Sequence, residues 1–384
     1  MRIRSELVRT ADNKVIRGQT YEAPFTDQVF ALQERIALQV LETLQARTES
    51  RKHPPRIIPT HNMEAYREYL IGRSLAAVRT DEALKSAIRH YQQATARDSS
   101  FAMAYAALAT AWVVYPNFWS RTDSSRNLAP SSAVAYAMSE KAAQQALSID
   151  LDLFEARATL AYAKFLITAE SGRAIPELEA VVQQAPDDPT IRTWYRHALG
   201  AAGREVEALQ QSQRAVELDP LAPVGNTILG VDLAATGDTA AALVALRRVV
   251  ELNPGFAAAY MVLGALLLQR GETAAGAASL CRFLVLRGYD VTRAGVVEAA
   301  LAGRGSRAEA IEALEGFTRT EWEPEVRLAG FFALLGARGR ALDILEAARA
   351  RRVGDLLFMR YQPFLAPLRR EPRFEAIWAR DAWH

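Results

Sequence analysis

Apolar positions recur at the spacing of amphipathic helices along most of the chain, and from residue 63 onward the helices fall into pairs. Residues 190–220 show one such pair. A first helix runs to about Ala202, Gly203 turns the chain, and a second helix ends at Asp219-Pro220. Glycine takes a positive φ at little cost, and proline cannot donate the amide hydrogen bond that would extend a helix. The pattern therefore predicts a helix–turn–helix unit.

The unit repeats every 34 residues. Glycines at this step are Gly203, Gly237, Gly271 and Gly305, and prolines at the same step are Pro186, Pro220 and Pro254. A domain with one core has no reason to repeat at this interval, whereas stacked helix pairs do. We therefore predict an all-α solenoid of about eight helix pairs, at residues 64–98, 101–150, 153–186, 189–220, 223–254, 257–288, 291–322 and 325–354.

The eighth pair can be aligned on either of two glycines, Gly336 or Gly339. Small residues inside the helices let neighbouring helices approach closely. We prefer Gly336 because Ala341 then occupies the small-residue position of the unit.

The length of the unit and its glycine, alanine and proline positions resemble the tetratricopeptide repeat. The resemblance covers about 290 residues of the chain. It implies a right-handed superhelix whose first helices line a concave surface. Such stacks usually bind other proteins and seldom catalyse reactions.

The N-terminal region differs from the repeats. Residues 3–8 and 15–21 surround a polar turn and predict two short strands. Asp27 then caps a predicted helix with apolar residues on one face, namely Val29, Leu32, Ile36, Val40, Leu41 and Leu44. Prolines without helical periodicity predict a linker over residues 50–59, and we place a domain boundary near residue 58.

Both ends of the chain carry a narrower resemblance. Residues 4–17, Tyr21 and residues 30–37 resemble the end of a TolB-like module, and residues 363–374 resemble the C-terminal end of the same bacterial multidomain regulators. In those regulators the effector is a winged-helix DNA-binding domain, a nucleotide cyclase or a protein kinase. The resemblance implies three parts: a partial TolB-like α/β module with a linker at 1–58, a repeat array at 59–354 and a C-terminal capping segment at 355–384.

Composition limits the classes of function. The 384 residues have a formal net charge of +2, which gives no general attraction to nucleic acid. Neither a run of about 18 uncharged apolar residues nor the apolar region of a secretion signal occurs, so we expect no membrane insertion. A cytoplasmic location is expected, with the periplasm as the alternative. Cys281 is the only cysteine, and we expect it to be a buried apolar filler.

Motifs of catalysis and metal binding are missing from the sequence. It has no P-loop, no His-Glu-x-x-His and no paired Cys-x-x-Cys. Its five histidines are scattered, and His197 is expected to be a solvated or packed helix residue. We therefore predict no catalytic residue, no metal site and no cofactor, and a chain that is not an enzyme.

The first helices predict where a partner would bind. Positions counted from the repeat are small and mostly apolar, unlike the Lys/Asn-lined clamp that captures acidic peptide tails. An apolar groove fits an extended or helical apolar peptide, or another part of the same assembly. Alternatively, some of these residues only pack between helices. The predicted groove residues are Thr159, Ala163, Leu166, Thr193, His197, Thr227, Val231, Met261, Ala265 and Leu268.

Two further segments are candidates for contact. The loop at 116–130 contains Phe118 and Trp119, which either anchor a partner or cover the apolar edge of the first units. Residues 356–378 are rich in Phe, Leu and Trp, and we expect them to cap the last repeat rather than to form a recognition tail.

Three functional hypotheses follow. The leading one is a non-enzymatic scaffold that binds a protein or peptide on its concave face, in bacterial signalling or transcription regulation. The second is the regulatory half of a split cyclase, kinase or winged-helix regulator. The third is a structural module that self-associates into a homo-oligomer, through the groove or through the edge of the N-terminal hairpin.

Overall fold

The computed structural model describes residues 2–9, 14–22, 60–118, 131–318, 326–351 and 353–378. In these residues sixteen helices form eight consecutive pairs, which confirms the predicted all-α solenoid. The first helices of the pairs are α1 Met63–Val78, α3 Ala102–Val114, α5 Phe154–Thr168, α7 Pro189–Ala201, α9 Pro223–Ala235, α11 Ala257–Gln269, α13 Val291–Leu301 and α15 Val326–Leu334. The second helices are α2 Asp81–Arg97, α4 Ser132–Ile149, α6 Ser171–Gln184, α8 Glu205–Leu218, α10 Thr239–Leu252, α12 Thr273–Leu286, α14 Arg307–Thr318 and α16 Arg338–Ala350.

Short elements complete the described fold. The 3-10 helix Tyr115–Asn117 follows α3, and two more, Gly354–Phe358 and Pro363–Leu368, follow α16. A last helix, α17, spans Pro372–Ile377. The units are numbered 1 to 8 below, one for each helix pair.

Glycine turns connect the pairs as the repeat predicts. Gly203, Gly237 and Gly271 have φ of 76°, 97° and 81° between the two helices of their units. After Gly203 the amide of Arg204 donates to the carbonyl of Leu199 at 2.9 Å, which closes the end of α7. This left-handed turn satisfies carbonyls that the helix end would otherwise leave without a donor.

The seventh unit departs from the predicted turn. Its left-handed residue is Gly303, with φ of 73°, and not Gly305, which shares the 34-residue step. Because α13 ends at Leu301, its turn comes two residues earlier than the period predicts. In the eighth unit Gly336 has φ of 86° and Ala341 is fully buried, so the alignment on Gly336 is confirmed.

Small residues bring the two helices of a pair into contact. A Cβ added to Gly264 on α11 would lie 2.8 Å from the carbonyl oxygen of Gly276 on α12. A Cβ at Gly230 on α9 would lie 2.8 Å from Leu246 on α10. No side chain fits at either distance, so glycine sets the spacing of these helices.

The apolar core is divided along the stack. One buried cluster fills units 1 to 4 and extends to Ala208 on α8. A second begins at Val231 on α9 and fills units 5 and 6. A third fills units 6 to 8 and includes Leu356, Phe364 and other residues after α16. The C-terminal residues are therefore part of the core.

The β-structure within the described residues is a hairpin at the N-terminus. Strand β1 spans Arg2–Arg9 and pairs antiparallel with β2, Lys14–Glu22. The register places Ile3 opposite Tyr21, with an irregularity between Leu7 and Val8. The two predicted strands are confirmed, whereas the predicted helix from Asp27, the linker and the boundary near residue 58 lie outside the described residues.

Candidate functional site

Four ring side chains lie together on the first helices of units 3 and 4. The side of the stack that the first helices form is called the concave face below. Tyr162 and Phe165 are three residues apart on α5, and Trp194 and His197 are three apart on α7, so each pair lies on one helix face. The Tyr162 ring stacks on Trp194 with centroids 5.0 Å apart and planes 7° apart, and its hydroxyl lies 2.8 Å from Nδ1 of His197. We name these four residues the aromatic cradle.

The aromatic cradle holds a residue from the end of the chain. The ring of Phe358 lies 4.3 Å from the ring of His197 and 6.3 Å from that of Phe165, measured between centroids. Leu357 beside it joins the buried cluster of units 1 to 4. We name residues 353–369 the C-terminal strap. Its first half, in contact with α5 and α7, covers the concave face of units 3 and 4.

The second half of the C-terminal strap crosses α9, α11 and α15. Gln269 on α11 donates from Nε2 to the carbonyl oxygen of Pro363 at 2.8 Å. Phe364 packs against Gly330, where an added Cβ would lie only 2.5 Å from Cδ2 of the ring. Leu365 is fully buried. The concave face thus binds a stretch of its own chain that contains two 3-10 helices, through apolar contacts and one backbone carbonyl.

A polar contact joins the middle of the C-terminal strap to the start of α8. The carboxylate of Glu205 accepts a hydrogen bond from the Tyr361 hydroxyl. Burial raises the pKa of Tyr361, the positive charge of Arg360 opposes this increase, and the carboxylate of Glu205 adds to it. Arg369 donates from Nη2 to the carbonyl oxygen of Tyr361 at 3.0 Å. Burial lowers the pKa of Arg369, and Glu205 partly offsets this effect.

The surroundings of His197 disfavour its charged form. Burial lowers the pKa of its imidazole well below the usual value, and the positive charge of Arg196 lowers it further. The ring stacks on Tyr162 with planes 22° apart and lies tilted at 31° against Phe358. The environment agrees with the predicted packing role of this histidine.

A buried ion pair lies beneath the groove at the junction of units 4 and 5. Arg196 on α7 and Asp232 on α9 are only 8% and 5% exposed. Nε of Arg196 donates to Oδ1 and Oδ2 of Asp232 at 3.0 and 2.8 Å, and Nη2 also contacts Oδ1. The pair connects first helices whose apolar residues belong to different buried clusters.

Arg196 and Asp232 are not among the site residues predicted from the sequence. They are 36 residues apart, close to the repeat length, and both interrupt the apolar pattern of first helices. Opposite charges at nearly equivalent positions of consecutive units are the signal that could have found them.

The ten predicted groove residues lie on first helices, and most of them are buried. The hydroxyls of Thr159, Thr193 and Thr227 donate to carbonyls four residues earlier in their own helices, at 2.7 to 2.8 Å. The buried ones are Thr159, Ala163, Leu166, Thr227, Val231, Met261 and Ala265, and the partly buried ones are Thr193, His197 and Leu268. Their role in binding a partner stays a prediction.

Two open cavities flank the covered part of the groove. One, of about 230 Å³, is lined by Leu268 and Gln269 with residues of α13 and α15. The other, of about 170 Å³, lies where units 1 and 2 meet the start of unit 3 and is lined by Ala107, Arg73 and Glu155, among others. Both cavities are accessible in the part of the chain that the structure describes.

The predicted loop anchor is only partly described. Phe118 is partly buried and packs against the core of units 1 to 4, with the guanidinium carbon of Arg79 5.8 Å from its ring centroid. Trp119 lies outside the described residues. The position of Phe118 agrees with the alternative that this loop covers the edge of the first units.

Across the described ranges, no group of three or more His, Cys, Asp or Glu side chains is placed to hold a metal ion. Across those ranges too, no helix combines the length and apolar character needed to cross a membrane.

Comparison of the sequence with protein-family models and with curated proteins finds no match. Solved structures with a similar fold include YrrB, a TPR protein with an unusual peptide-binding site, at 22% identity over 51% of this chain and 89% of that chain, with a TM-score of 0.30. PilF of Pseudomonas aeruginosa has 19% identity over 58% and 93%, with a TM-score of 0.43. Yeast Tom70 has 12% identity over 91% and 74%, with a TM-score of 0.44.

The class of fold follows from the helices and turns of this chain. Eight helix pairs, glycine turns at a 34-residue step and contacts between first helices of consecutive units are the features of an all-α solenoid of the tetratricopeptide type.

Proposed function

We propose that the chain is a non-enzymatic scaffold that holds a partner peptide or protein on its concave face. The observation that carries this proposal is the C-terminal strap. The concave face binds it by packing the ring of Phe358 against His197, burying Leu365 and donating from Gln269 to a backbone carbonyl. Apolar contacts combined with backbone hydrogen bonds are also how peptide-binding domains hold extended ligands.

The proposal places the chain in a bacterial signalling or transcription-regulation system. Support comes from the resemblance of both chain ends to TolB-like, repeat-containing regulators. In such a system the scaffold would bring an effector and its partner together rather than catalyse a reaction itself.

Access to the concave face determines how a partner reaches it. The cavities in units 1 and 2 and beside Leu268 are open, whereas units 3 and 4 are covered by Phe358 and Leu357. A partner therefore enters through the open cavities or takes the place of the C-terminal strap.

Affinity capture from the source cell tests the proposal. Two full-length variants, Ala107→Arg and Leu268→Arg, each place a long charged side chain in an open cavity. Val244→Arg is the matched control, because Val244 is 69% exposed on second helix α10. We expect a partner that the unmodified chain and the control both capture, and that at least one cavity variant captures tenfold less. Equal capture by all four chains would exclude entry through the open cavities. If capture were also unchanged by Phe358→Ala, which alters the strap site, the concave face would not be the binding surface.

A further inference from the structure

The residues of the C-terminal strap are buried to different degrees. Leu365 and Leu368 are fully buried in the core of units 6 to 8, and Leu356 and Met359, on either side of Phe358, are 0% and 4% exposed in the same core. The Phe358 side chain is only half-buried, and it contacts helices of units 3 and 4. This side chain is therefore the part of the C-terminal strap that can leave the concave face with the smallest loss of buried surface.

Contacts after the C-terminal strap hold its second half in place independently. Arg373 donates to Asp343 at 2.8 Å and to both carboxylate oxygens of Glu346 at 2.9 and 2.8 Å. Arg349 on α16 donates to the carbonyl oxygen of Ala376 at 2.8 Å. Departure of Phe358 from the aromatic cradle leaves these contacts intact.

The chemistry of the aromatic cradle selects a flat apolar ring. Aromatic side chains prefer offset or tilted contacts at centroid distances of about 4.5–7 Å, as several rings of the cradle adopt. The adjacent charge of Arg196 is paired with the carboxylate of Asp232, so it is not free to attract an acidic side chain of a ligand.

We propose that the aromatic cradle is the subsite for an aromatic side chain of the partner, and that Phe358 is an internal competitor for it. The partner is then a mainly apolar peptide that presents Phe, Tyr or Trp to units 3 and 4. This inference rests on the proposed function and names the class of its ligand. The measured affinity equals the intrinsic affinity multiplied by the fraction of molecules in which Phe358 is displaced.

A peptide added in trans tests the competition. The probe is a fluorescent peptide with the sequence Leu-Leu-Phe-Met-Arg-Tyr of residues 356–361, and the control peptide has alanine in place of phenylalanine. Binding is measured by anisotropy to the unmodified full chain and to full-length Phe358→Ala. We expect the variant to bind the probe at least tenfold more tightly than the unmodified chain, and the control peptide to bind the variant at least tenfold more weakly than the probe.

Two results would overturn the inference. One is that the two chains bind the probe with equal affinity, or that the variant binds the two peptides with equal affinity, while circular dichroism shows that the variant is folded. The other is loss of helical structure in both Phe358→Ala and the milder Phe358→Leu, which would make Phe358 a fixed part of the core. After either result, the proposed function still holds if Ala107→Arg or Leu268→Arg reduces affinity capture of the partner. If neither variant reduces capture and Phe358→Ala also leaves it unchanged, the proposed function itself is refuted.

Discussion

Removing one member of the buried ion pair should destabilise the chain far more than removing both. Asp232→Leu leaves the guanidinium of Arg196 in a site where it is 8% exposed and has lost the carboxylate that accepts from it at 2.8 and 3.0 Å. Breaking a buried pair costs roughly 3–5 kcal/mol, because the remaining charge stays uncompensated. At an effective dielectric constant of about 20, the lost attraction at about 4 Å is of the same order, about 4 kcal/mol.

The double variant Arg196→Met with Asp232→Leu removes both charges and keeps apolar volume at the junction. Such replacements are neutral or stabilise by about 1–4 kcal/mol. The control is Glu217→Ala, which breaks an exposed pair with Arg214 whose side chains are 63% and 47% exposed and should change stability by less than about 1 kcal/mol.

Urea unfolding followed by circular dichroism measures all three variants. The expected order of unfolding midpoints places Asp232→Leu lowest, and the double variant and Glu217→Ala near the unmodified chain. A midpoint for Asp232→Leu equal to that of the double variant would refute the reasoning, because the cost would then come from lost packing and not from an unpaired charge.

Two further predictions concern packing and thiol chemistry. Gly330→Ala should lower the free energy of unfolding by about 1–3 kcal/mol, because the added Cβ would lie 2.5 Å from Phe364. Gly295→Ala should raise the free energy of unfolding by about 0.5–1 kcal/mol, because this helical position has no neighbour within 4 Å. Equal urea midpoints for the two variants would contradict both expectations. Burial, and then the negative charge of Glu298, raise the pKa of Cys281 to about 11, so the thiolate that reacts with iodoacetamide forms only as the pH approaches that value. Alkylation near pH 8 should therefore be much slower in the folded chain than in urea, and equal rates would show an exposed thiol.

The periodic part of the fold was predictable because each turn is a local event. Gly203 and Gly336 take the left-handed conformation that their positions predict. Units 1 and 3 instead use Arg79 and Ala169 at φ of 57° and 59°. A search for glycine misses these turns, because a non-glycine residue adopts this conformation only where the surrounding packing holds it there.

The cover on the concave face was not predictable from the repeat. An apolar residue such as Leu166 has the same helical spacing whether a neighbouring helix or the C-terminal strap buries it. The hydrogen bond from Gln269 to Pro363 joins residues 94 apart, and periodicity carries no information at that separation. The prediction that residues 356–378 cap the last unit agrees with the contact of α17 with α16. It does not account for the contacts of Phe358 with units 3 and 4.

The C-terminal strap also changes how this chain folds. In an ordinary solenoid each repeat contacts only its neighbours, so terminal repeats unfold separately and contact order stays low. Here the last residues contact units 3, 4 and 6, so unfolding of the C-terminal end also uncovers the middle of the stack. During synthesis the C-terminal strap is made after units 3 to 6, so the concave face of these units stays open to water in the nascent chain until the strap has been made.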